Sequence, residues 1–305
     1  MTPNRSTETI QLIVIGYPKS GTTWLTRLMA ELIECPSAGF WGHQGAEQSP
    51  TDLSPEGQER QSRYCCYKSH LSWPELTRTP QHGTVIPIYI LRDPRDVVVS
   101  GGHYFSWNHA KEQWIEPYQN SDILPAINPV RVYPKAFRGR QNDRLNAAGL
   151  SDTQLFEVFI EPVLHAFEYR SSVMLNTVVY GNEQIHEWLS VPWKEHVQGY
   201  LEQDCLIVQY ESLWHSPETI CRRILSQLGI ERSDTQIQTA IERQAFSTRK
   251  VQAQAQNNQR TLNFLREGTP EQWRYRLYPE QVHWLQEHLA PELSYWGYPL
   301  LSQKA

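Results

Sequence analysis

The sequence feature that most constrains the fold is an apolar run that ends in glycine and leads through a short loop into a helical pattern. Residues 10–16 read I-Q-L-I-V-I-G, and apolar residues recur at helical spacing over Thr22–Ile33. This order predicts a strand, a loop and a helix. Because backbone N–H groups and the helix dipole converge on an anion at a helix N-terminus, the loop is a candidate phosphate site.

Further short apolar runs, each followed by a polar turn or a helical pattern, continue this order along the chain. The other predicted strands are Tyr64–Tyr67, Val85–Leu91 and Cys205–Gln209. The other predicted helices are Pro94–Phe105, Thr153–Tyr169, Glu183–Leu189, Pro217–Leu228, Asp234–Gln244 and Pro279–Leu289. We expect an α/β fold with a central parallel sheet flanked by helices. No linker or repeat divides residues 1–305, so we expect a single domain.

Composition argues against several other classes of protein. The 28 basic and 33 acidic residues give a net charge of −5, which argues against a nucleic-acid partner. The five cysteines include no C-x-x-C pair, so we expect no disulfide framework, no metal site and a reducing, cytoplasmic location. Residues 1–9 are polar and are expected to form a flexible N-terminus. The run Ile10–Ile15 is far shorter than the roughly 20 residues of a membrane span, so we expect no membrane partner.

The loop reads Gly16-Tyr17-Pro18-Lys19-Ser20-Gly21-Thr22-Thr23-Trp24. Its glycines are spaced as in a G-x-x-x-x-G phosphate loop, but threonine follows the second glycine where a nucleoside-triphosphate loop carries lysine. A conventional ATP or GTP site is therefore disfavoured. The segment P-K-S-G-T-T-W closely resembles the signature of cytosolic sulfotransferases, which use 3′-phosphoadenosine 5′-phosphosulfate (PAPS). The resemblance implies that a P-loop-like turn holds the phosphosulfate through Lys19, Ser20, Gly21, Thr22 and Thr23, and that Trp24 packs on the adenine.

A second segment of the resemblance follows the strand predicted at Val85–Leu91. Arg92 ends that strand and a proline begins the next helix, which puts a cation at the sheet edge where α/β proteins bind ligands. The family pattern R-x-P-x-D-x-x-x-S matches from Arg92 to Ser100 and implies that both residues bind the 3′-phosphate of PAPS. For the arginine alone, a salt bridge at the helix start is the alternative.

A third segment, Asn263–Arg274, is similar to the family's late F-x-R-K-G-x-x-G-x-W-K segment. Arg266 and Gly268 match, so both are implied to bind the cofactor. Glu267 stands where the family usually has lysine, and one phosphate-binding cation is therefore missing.

Two aromatic residues are implied to contact the adenine. Tyr210 begins Y-E-S-L, which matches the family's Y-E-D-L after a strand. Phe246 corresponds to an adenine-packing phenylalanine, although Gln244 and Ala245 replace the family's Thr-Ser; for Phe246 alone, an ordinary core position is the alternative. The W-x-x-H-V match at Trp193–Val197 is interpreted as structural.

A candidate catalytic pair follows another short strand, in the segment Lys68-Ser69-His70. In an extended chain this spacing puts the lysine and the histidine on one face. Sulfuryl transfer requires a base for the acceptor's proton and cations for the charge on the departing phosphate. Imidazole, with an ordinary pKa of about 6.5, can be that base near neutrality. The family's K-T-H segment implies the same roles: His70 as general base, with Lys68 and Lys19 as catalytic cations. His103 and His109 are less favoured candidates.

Two irregular stretches, residues 36–63 and 108–150, are predicted to be lids over the acceptor, with plain surface loops as the alternative. Candidate residues of the acceptor pocket are aromatic but also polar: Trp41, His43, Trp73, Tyr104, Trp107 and Trp114. A polar natural product therefore fits better than a steroid or simple phenol.

We expect a PAPS-dependent sulfotransferase that acts on the hydroxyl or amine of a small molecule and releases adenosine 3′,5′-bisphosphate (PAP). Two alternatives stay open. A kinase-like phosphotransferase would bind ATP and a metal, and an inactive nucleotide-binding module would bind a nucleotide without turnover. The family's dimerisation pattern K-x-x-x-T-V-x-x-x-E is not matched from Arg274 onward, so the oligomeric state is not predicted.

Overall fold

The computed structural model describes residues 9–41, 56–80, 83–105 and 167–302. Two compact units make up the chain, the first formed by Met1–Arg92 and Glu195–Pro270 and the second by Asp93–Lys194 and Glu271–Ala305. The predicted lid at 108–150 and most of the predicted helix Thr153–Tyr169 lie outside the described residues. The single-domain organisation stays a prediction.

Among the described residues, a five-stranded, all-parallel sheet forms the centre of the first unit, in the order β2-β3-β1-β4-β5. The strands are β1 Ile10–Ile15, β2 Ser37–Phe40, β3 Tyr64–Ser69, β4 Thr84–Leu91 and β5 Leu206–Gln209. Ile15 lies opposite Ser69 on one side and Tyr89 on the other, and Leu91 lies opposite Gln209. The register therefore brings the carboxyl ends of four strands to one edge, and the predicted central parallel sheet is confirmed.

The described helices are α1 Thr22–Ile33, α2 Trp73–Arg78, α3 Pro94–Tyr104, α4 Phe167–Tyr180, α5 Trp193–Leu201, α6 Tyr210–His215, α7 Pro217–Leu228, α8 Asp234–Gln244, α9 Phe246–Ala255, α10 Gln259–Phe264, α11 Trp273–Arg276 and α12 Pro279–Tyr295. In the first unit, the apolar faces of α1, α7 and α8 join the sheet in one buried core. Buried Leu12 and Val14 of β1 share this core with Leu25 and Leu28 of α1. This packing fixes the start of α1 beside the end of β1.

The second unit contains α3, α4, α11 and α12. The Asp93 side chain caps α3 by accepting from the Arg95 backbone N–H, and Arg95 is fully buried against it in an ion pair. Asp96 accepts from the backbone N–H groups of Glu271 and Trp273, at 2.7 and 3.1 Å. The carboxylates at the start of α3 therefore organise the segment that leads into α11. No described helix is long and apolar enough to cross a membrane.

Several predicted elements require correction. Strand β2 lies inside the stretch 36–63 that was expected to be irregular, because S-A-G-F pairs with β3 without a strand-like pattern of its own. Within the predicted helix Glu183–Leu189 only Glu187–Leu189 is helical, as a 3₁₀ turn. The prediction Thr153–Tyr169 overlaps only the start of α4, which continues to Tyr180. Helix α12 runs past its predicted end, with non-helical geometry at Leu289.

Candidate active site

The predicted catalytic and cofactor-binding residues of the first unit lie mainly at the carboxyl edge of its sheet. The phosphate loop follows β1, Lys68 and His70 lie at the end of β3, Arg92 follows β4 and Tyr210 follows β5. Ligands of parallel α/β folds bind at this edge. The site therefore combines segments that are far apart in the sequence.

The phosphate loop adopts a geometry that leaves the start of α1 available to an anion. Lys19 and Gly21 both have left-handed backbone conformations, with φ of 73° and 95°, and Gly21 is the N-cap of α1. Within the described residues, no side chain caps this helix and its first turn carries no acidic residue. The N–H groups at this end, together with the helix dipole, favour a bound phosphate or sulfate oxygen.

Lys68 brings a buried positive charge to the loop. Its side chain is on β3, the residue is only 3% exposed, and Nζ donates to the Thr23 hydroxyl at 3.1 Å. The ammonium also lies 4.5 Å from the centre of the Phe40 ring. A buried ammonium beside the loop is well suited to an anionic ligand.

Arg92 and Lys19 provide two more cations at the same edge. Arg92 is 5% exposed, donates from Nη1 to the Lys19 carbonyl at 3.2 Å and lies 4.3 Å from the centre of the Tyr210 ring. The Lys19 ammonium lies 4.5 Å from the centre of the Phe264 ring. The arginine therefore links the loop after β1 to the segment after β5.

The His70 imidazole has its hydrogen-bonding roles set by the loop. His70 is 5% exposed, and its Nδ1 lies 2.7 Å from the carbonyl oxygen of Gly16. A carbonyl oxygen only accepts, so Nδ1 carries the proton. In the neutral ring, Nε2 then holds the lone pair and is the nitrogen able to take a proton. This is the tautomer that a general base requires.

Aromatic side chains cluster beside the loop. Trp24 donates from its indole nitrogen to the Gln244 carbonyl at 3.1 Å, and its ring meets that of Tyr210 edge-on at 5.5 Å. The Tyr210 hydroxyl donates to the Gly268 carbonyl. The Phe246 ring lies so close to Gly268 that a methyl group there would come within 2.7 Å of it. The three predicted adenine-contacting rings therefore share partners in a single unit.

Arg266 and Glu267 form an ion pair of 2.8 Å between the Arg266 Nη1 and a carboxylate oxygen. Their side chains are 27% and 30% exposed. The acidic residue that departs from the family pattern therefore contacts the cation that the pattern predicts for phosphate binding.

These residues fit a phosphosulfate-containing nucleotide. The Ser20 hydroxyl is buried and has no hydrogen-bond partner among the described residues, as expected for a group that binds a ligand oxygen. The uncapped start of α1 lies next to it, and Lys68 and Arg92 are buried at the same edge. Within the described ranges, no cluster of His, Cys, Asp or Glu could hold a metal ion.

Comparison with known proteins gives the family. The family model described as "Sulfotransferase domain" matches residues 9–297. The chain belongs to this family. The 3-beta-hydroxysteroid sulfotransferase of Cavia porcellus is 22% identical over 305 residues, with 94% of this chain and 84% of that protein covered. Sulfotransferase 2A6 of Mus musculus is 23% identical over 84% of this chain and 70% of that protein.

The match to sulfotransferase 2A1 of Macaca fascicularis is more local, at 32% identity over 33% of this chain and 36% of that protein. The chain thus spans about a third of the 2A1 relative that it matches. Among solved structures, mouse sulfotransferase SULT7A1 complexed with PAP shares the fold, with a TM-score of 0.56 and 18% identity. That match covers 93% of this chain and 84% of the mouse chain. Family membership therefore rests on a family model that matches nearly the whole chain.

The other predicted site residues lie in both units, and four lie outside the described residues. In the first unit, Trp41 is buried and donates to the Gln11 side chain at 2.6 Å, and Trp73 begins α2 and packs edge-on against Tyr200. In the second unit, Ser100 is half-buried on α3 and Tyr104, also on α3, is exposed. Three predicted pocket residues and one alternative base lie outside the described residues: His43, Trp107, Trp114 and His109.

One residue that the sequence analysis did not place in the site, His196, contacts the backbone of His70. His196 Nε2 lies 3.0 Å from the His70 carbonyl, and its Nδ1 lies 2.8 Å from the Tyr89 hydroxyl. Burial lowers the pKa of His196 to about 4, so this imidazole is neutral near pH 7. The available signal was the W-x-x-H-V segment, which was interpreted as structural.

Proposed function

We propose that the protein transfers the sulfuryl group of PAPS to a hydroxyl or amine of a small polar molecule, with His70 as the general base. The observation that carries this proposal is the 2.7 Å contact between His70 Nδ1 and the Gly16 carbonyl, which leaves Nε2 as the proton-accepting nitrogen beside the phosphate loop. A base that removes the acceptor's proton makes the acceptor a stronger nucleophile.

Cations and backbone dipoles supply the electrostatic part of the mechanism. When bound, PAPS supplies an electrophilic sulfuryl group with PAP as its leaving group. Lys68, held by the Thr23 hydroxyl, offsets negative charge at the transferring group. Lys19 and the N-terminus of α1 offset the charge that grows on the departing phosphate.

The remaining residues in the proposal fix the nucleotide. Arg92, Arg266 and Ser100 bind the 3′-phosphate, and the buried position of Arg92 supports its part in this set. Tyr210, Phe246 and Trp24 contact the adenine, and their clustering around Gly268 and the loop supports that role. Gly268 allows this close approach because it carries no side chain.

For the acceptor, we propose a polar natural product. The supporting residues are aromatic and polar: Trp41, His43, Trp73, Tyr104, Trp107 and Trp114. We place the enzyme in the cytoplasm because all five cysteines are free thiols, as is usual in a reducing compartment.

The nucleotide assignment is tested by calorimetric titration with PAP, ADP and ATP/Mg²⁺. We expect PAP to bind at least about tenfold more tightly than ADP, because charge-assisted contacts to the 3′-phosphate are made only by PAP. Arg92→Ala is expected to remove most of that preference. Arg222→Ala, which removes an exposed arginine paired with Glu218, is the matched control and keeps it. Tighter binding of ATP would overturn the proposal in favour of the kinase alternative.

The base assignment is tested by turnover of radiolabelled PAPS with a panel of phenols, alcohols and amines. We expect His70→Ala to lower turnover by about 10²–10⁴-fold, the usual contribution of a general base, and to keep PAP affinity within about twofold. His215→Ala, at an exposed histidine of α6, is the control. Turnover of His70→Ala at the wild-type rate would exclude His70 as the base.

A further inference from the structure

The backbone carbonyl of His70 accepts a hydrogen bond from His196, a residue that takes no part in the proposed reaction. His196 Nε2 lies 3.0 Å from the His70 carbonyl oxygen, so Nε2 must carry a proton. In the neutral ring Nδ1 then accepts, and the Tyr89 hydroxyl, 2.8 Å away, donates to it. Both contacts of His196 are therefore satisfied in one tautomer.

Tyr200, one helical turn further along α5, also donates to a backbone carbonyl next to the base and also contacts Tyr89. Its hydroxyl donates to the Leu71 carbonyl at 2.7 Å, and its ring stacks on that of Tyr89 at 4.8 Å. His196 and Tyr200 are four residues apart, on one face of the helix, and are 1% and 0% exposed. One face of α5 thus holds two consecutive carbonyls, those of residues 70 and 71.

We propose that His196 is a positioning residue for the general base: it fixes the His70 backbone so that Nδ1 reaches the Gly16 carbonyl and Nε2 stays the proton acceptor. This rests on the function proposed for His70. The backbone anchor at His196 and the ring anchor at Gly16 act together. With the backbone anchor lost, the ring is free to turn away, and a misplacement of about 1 Å can lower a rate about 10²-fold.

An apolar side chain could fill the same space but could not perform this role. Leucine or phenylalanine at position 196 would leave the His70 carbonyl and the Tyr89 hydroxyl without these partners. A lysine or arginine would bring a second buried charge near the base. A neutral imidazole, kept uncharged by burial, is able both to donate and to accept without adding charge.

The first test is made on the full-length wild-type protein with PAP bound. Long-range ¹H–¹⁵N correlation spectra of ¹⁵N-histidine-labelled protein report which ring nitrogen carries the proton, and spectra of His196→Gln and His70→Asn assign the two residues. We expect His196 to carry its proton on Nε2 and neutral His70 on Nδ1. The opposite tautomer at either residue would overturn the proposal, and this measurement needs no mutant to be active.

The second test compares variants by the rate of sulfuryl transfer from PAPS to the acceptor that the wild type turns over fastest in the panel of phenols, alcohols and amines. We expect His196→Leu to lower kcat about 10–100-fold, with a PAP Kd within about twofold of wild type. In His196→Leu, neutral His70 is expected to lose its preference for the Nδ1–H tautomer. His196→Gln, which keeps a donor near the Nε2 position, is expected to recover kcat to within about threefold of wild type.

The matched control is His288→Leu. His288 also contacts a carbonyl and a tyrosine hydroxyl, those of Trp284 and Tyr180, at 2.8 and 3.1 Å in the second unit. A merely structural role for His196 predicts a lower melting temperature with unchanged kcat and an unchanged His70 tautomer, and that result would overturn the proposal. Failure of the proposed function is distinct, because there His70→Ala itself would still transfer the sulfuryl group.

Discussion

Replacing Gly21 by alanine tests whether the phosphate loop depends on the close approach of the Tyr210 ring. A methyl group at Gly21 would lie 2.5 Å from Cδ2 and 2.8 Å from Cε2 of that ring. The ring has little room to retreat, because its hydroxyl donates to the Gly268 carbonyl and the Arg92 guanidinium packs on its face. The substitution therefore strains the packing as well as the backbone.

The expected loss of stability has two parts. Alanine in the left-handed region costs about 1–2 kcal/mol, and overpacking of a buried site costs about 1–3 kcal/mol more. Gly229→Ala isolates the first part, because Gly229 also has a positive φ, of 63°, and nothing lies within 4 Å of the added methyl. We expect Gly21→Ala to lower the free energy of unfolding by about 1–3 kcal/mol more than Gly229→Ala does.

Urea unfolding of the full chain measures this difference, and calorimetry with PAP measures its effect on the loop. We expect weaker PAP binding for Gly21→Ala and unchanged binding for Gly229→Ala. In a Tyr210→Ala background, which removes the obstructing ring, Gly21→Ala should cost no more than Gly229→Ala. Equal losses for the two alanine variants in the wild-type background would refute the packing argument.

Three further predictions concern charge. Glu267→Gln should tighten PAP binding about 1.5–5-fold and leave ADP binding unchanged. The reason is that a partly exposed ion pair, worth about 0.2–1 kcal/mol, no longer competes for Arg266. Equal gains in affinity for both nucleotides, measured by calorimetry, would contradict this. Stability should fall by up to about 3 kcal/mol as pH drops from about 6.5 to about 4, because unfolded His196 binds a proton in that window and the folded residue, with its pKa lowered to about 4, does not. Urea midpoints of His196→Gln should lack this component of the acid dependence. Asp96→Ala should lower the free energy of unfolding by about 2–4 kcal/mol, because two hydrogen bonds from backbone N–H groups are lost. Asp234→Ala, which removes an exposed ion pair, should change the free energy of unfolding by less than about 1 kcal/mol. Similar urea midpoints for the two variants would refute the role of Asp96.

Helices with local start and stop signals were predicted correctly from the sequence. The predicted bounds of α1, α7 and α8 are those observed. Gly229 ends α7 in the left-handed conformation, and Ser233 with Gln236 forms a capping box at the start of α8. Such signals act within a few residues, so one sequence is enough to find them.

Elements that depend on distant partners were missed or misplaced. Strand β2, S-A-G-F, has no strand-like pattern of its own and forms because it pairs with β3. Helix α9, F-S-T-R-K-V-Q-A-Q-A, has only one fully buried side chain, that of Ala253, so it lacks an apolar stripe that could predict it. In both cases tertiary contacts outweigh the local pattern, and a single sequence does not show those contacts.

The same distinction between local signals and long-range contacts applies to the candidate site. Each motif is local, so the sequence could indicate that a lysine and a histidine lie near the end of one strand and an arginine near the end of another. It could not indicate which nitrogen of His70 carries the proton, because that depends on the carbonyl of Gly16, a residue 54 positions away. The position of the His70 carbonyl depends in turn on His196, 126 positions away. A motif therefore identifies the reactive group, whereas its protonation state and direction come from long-range contacts of the folded chain, which is why His196 looked structural until those contacts were known.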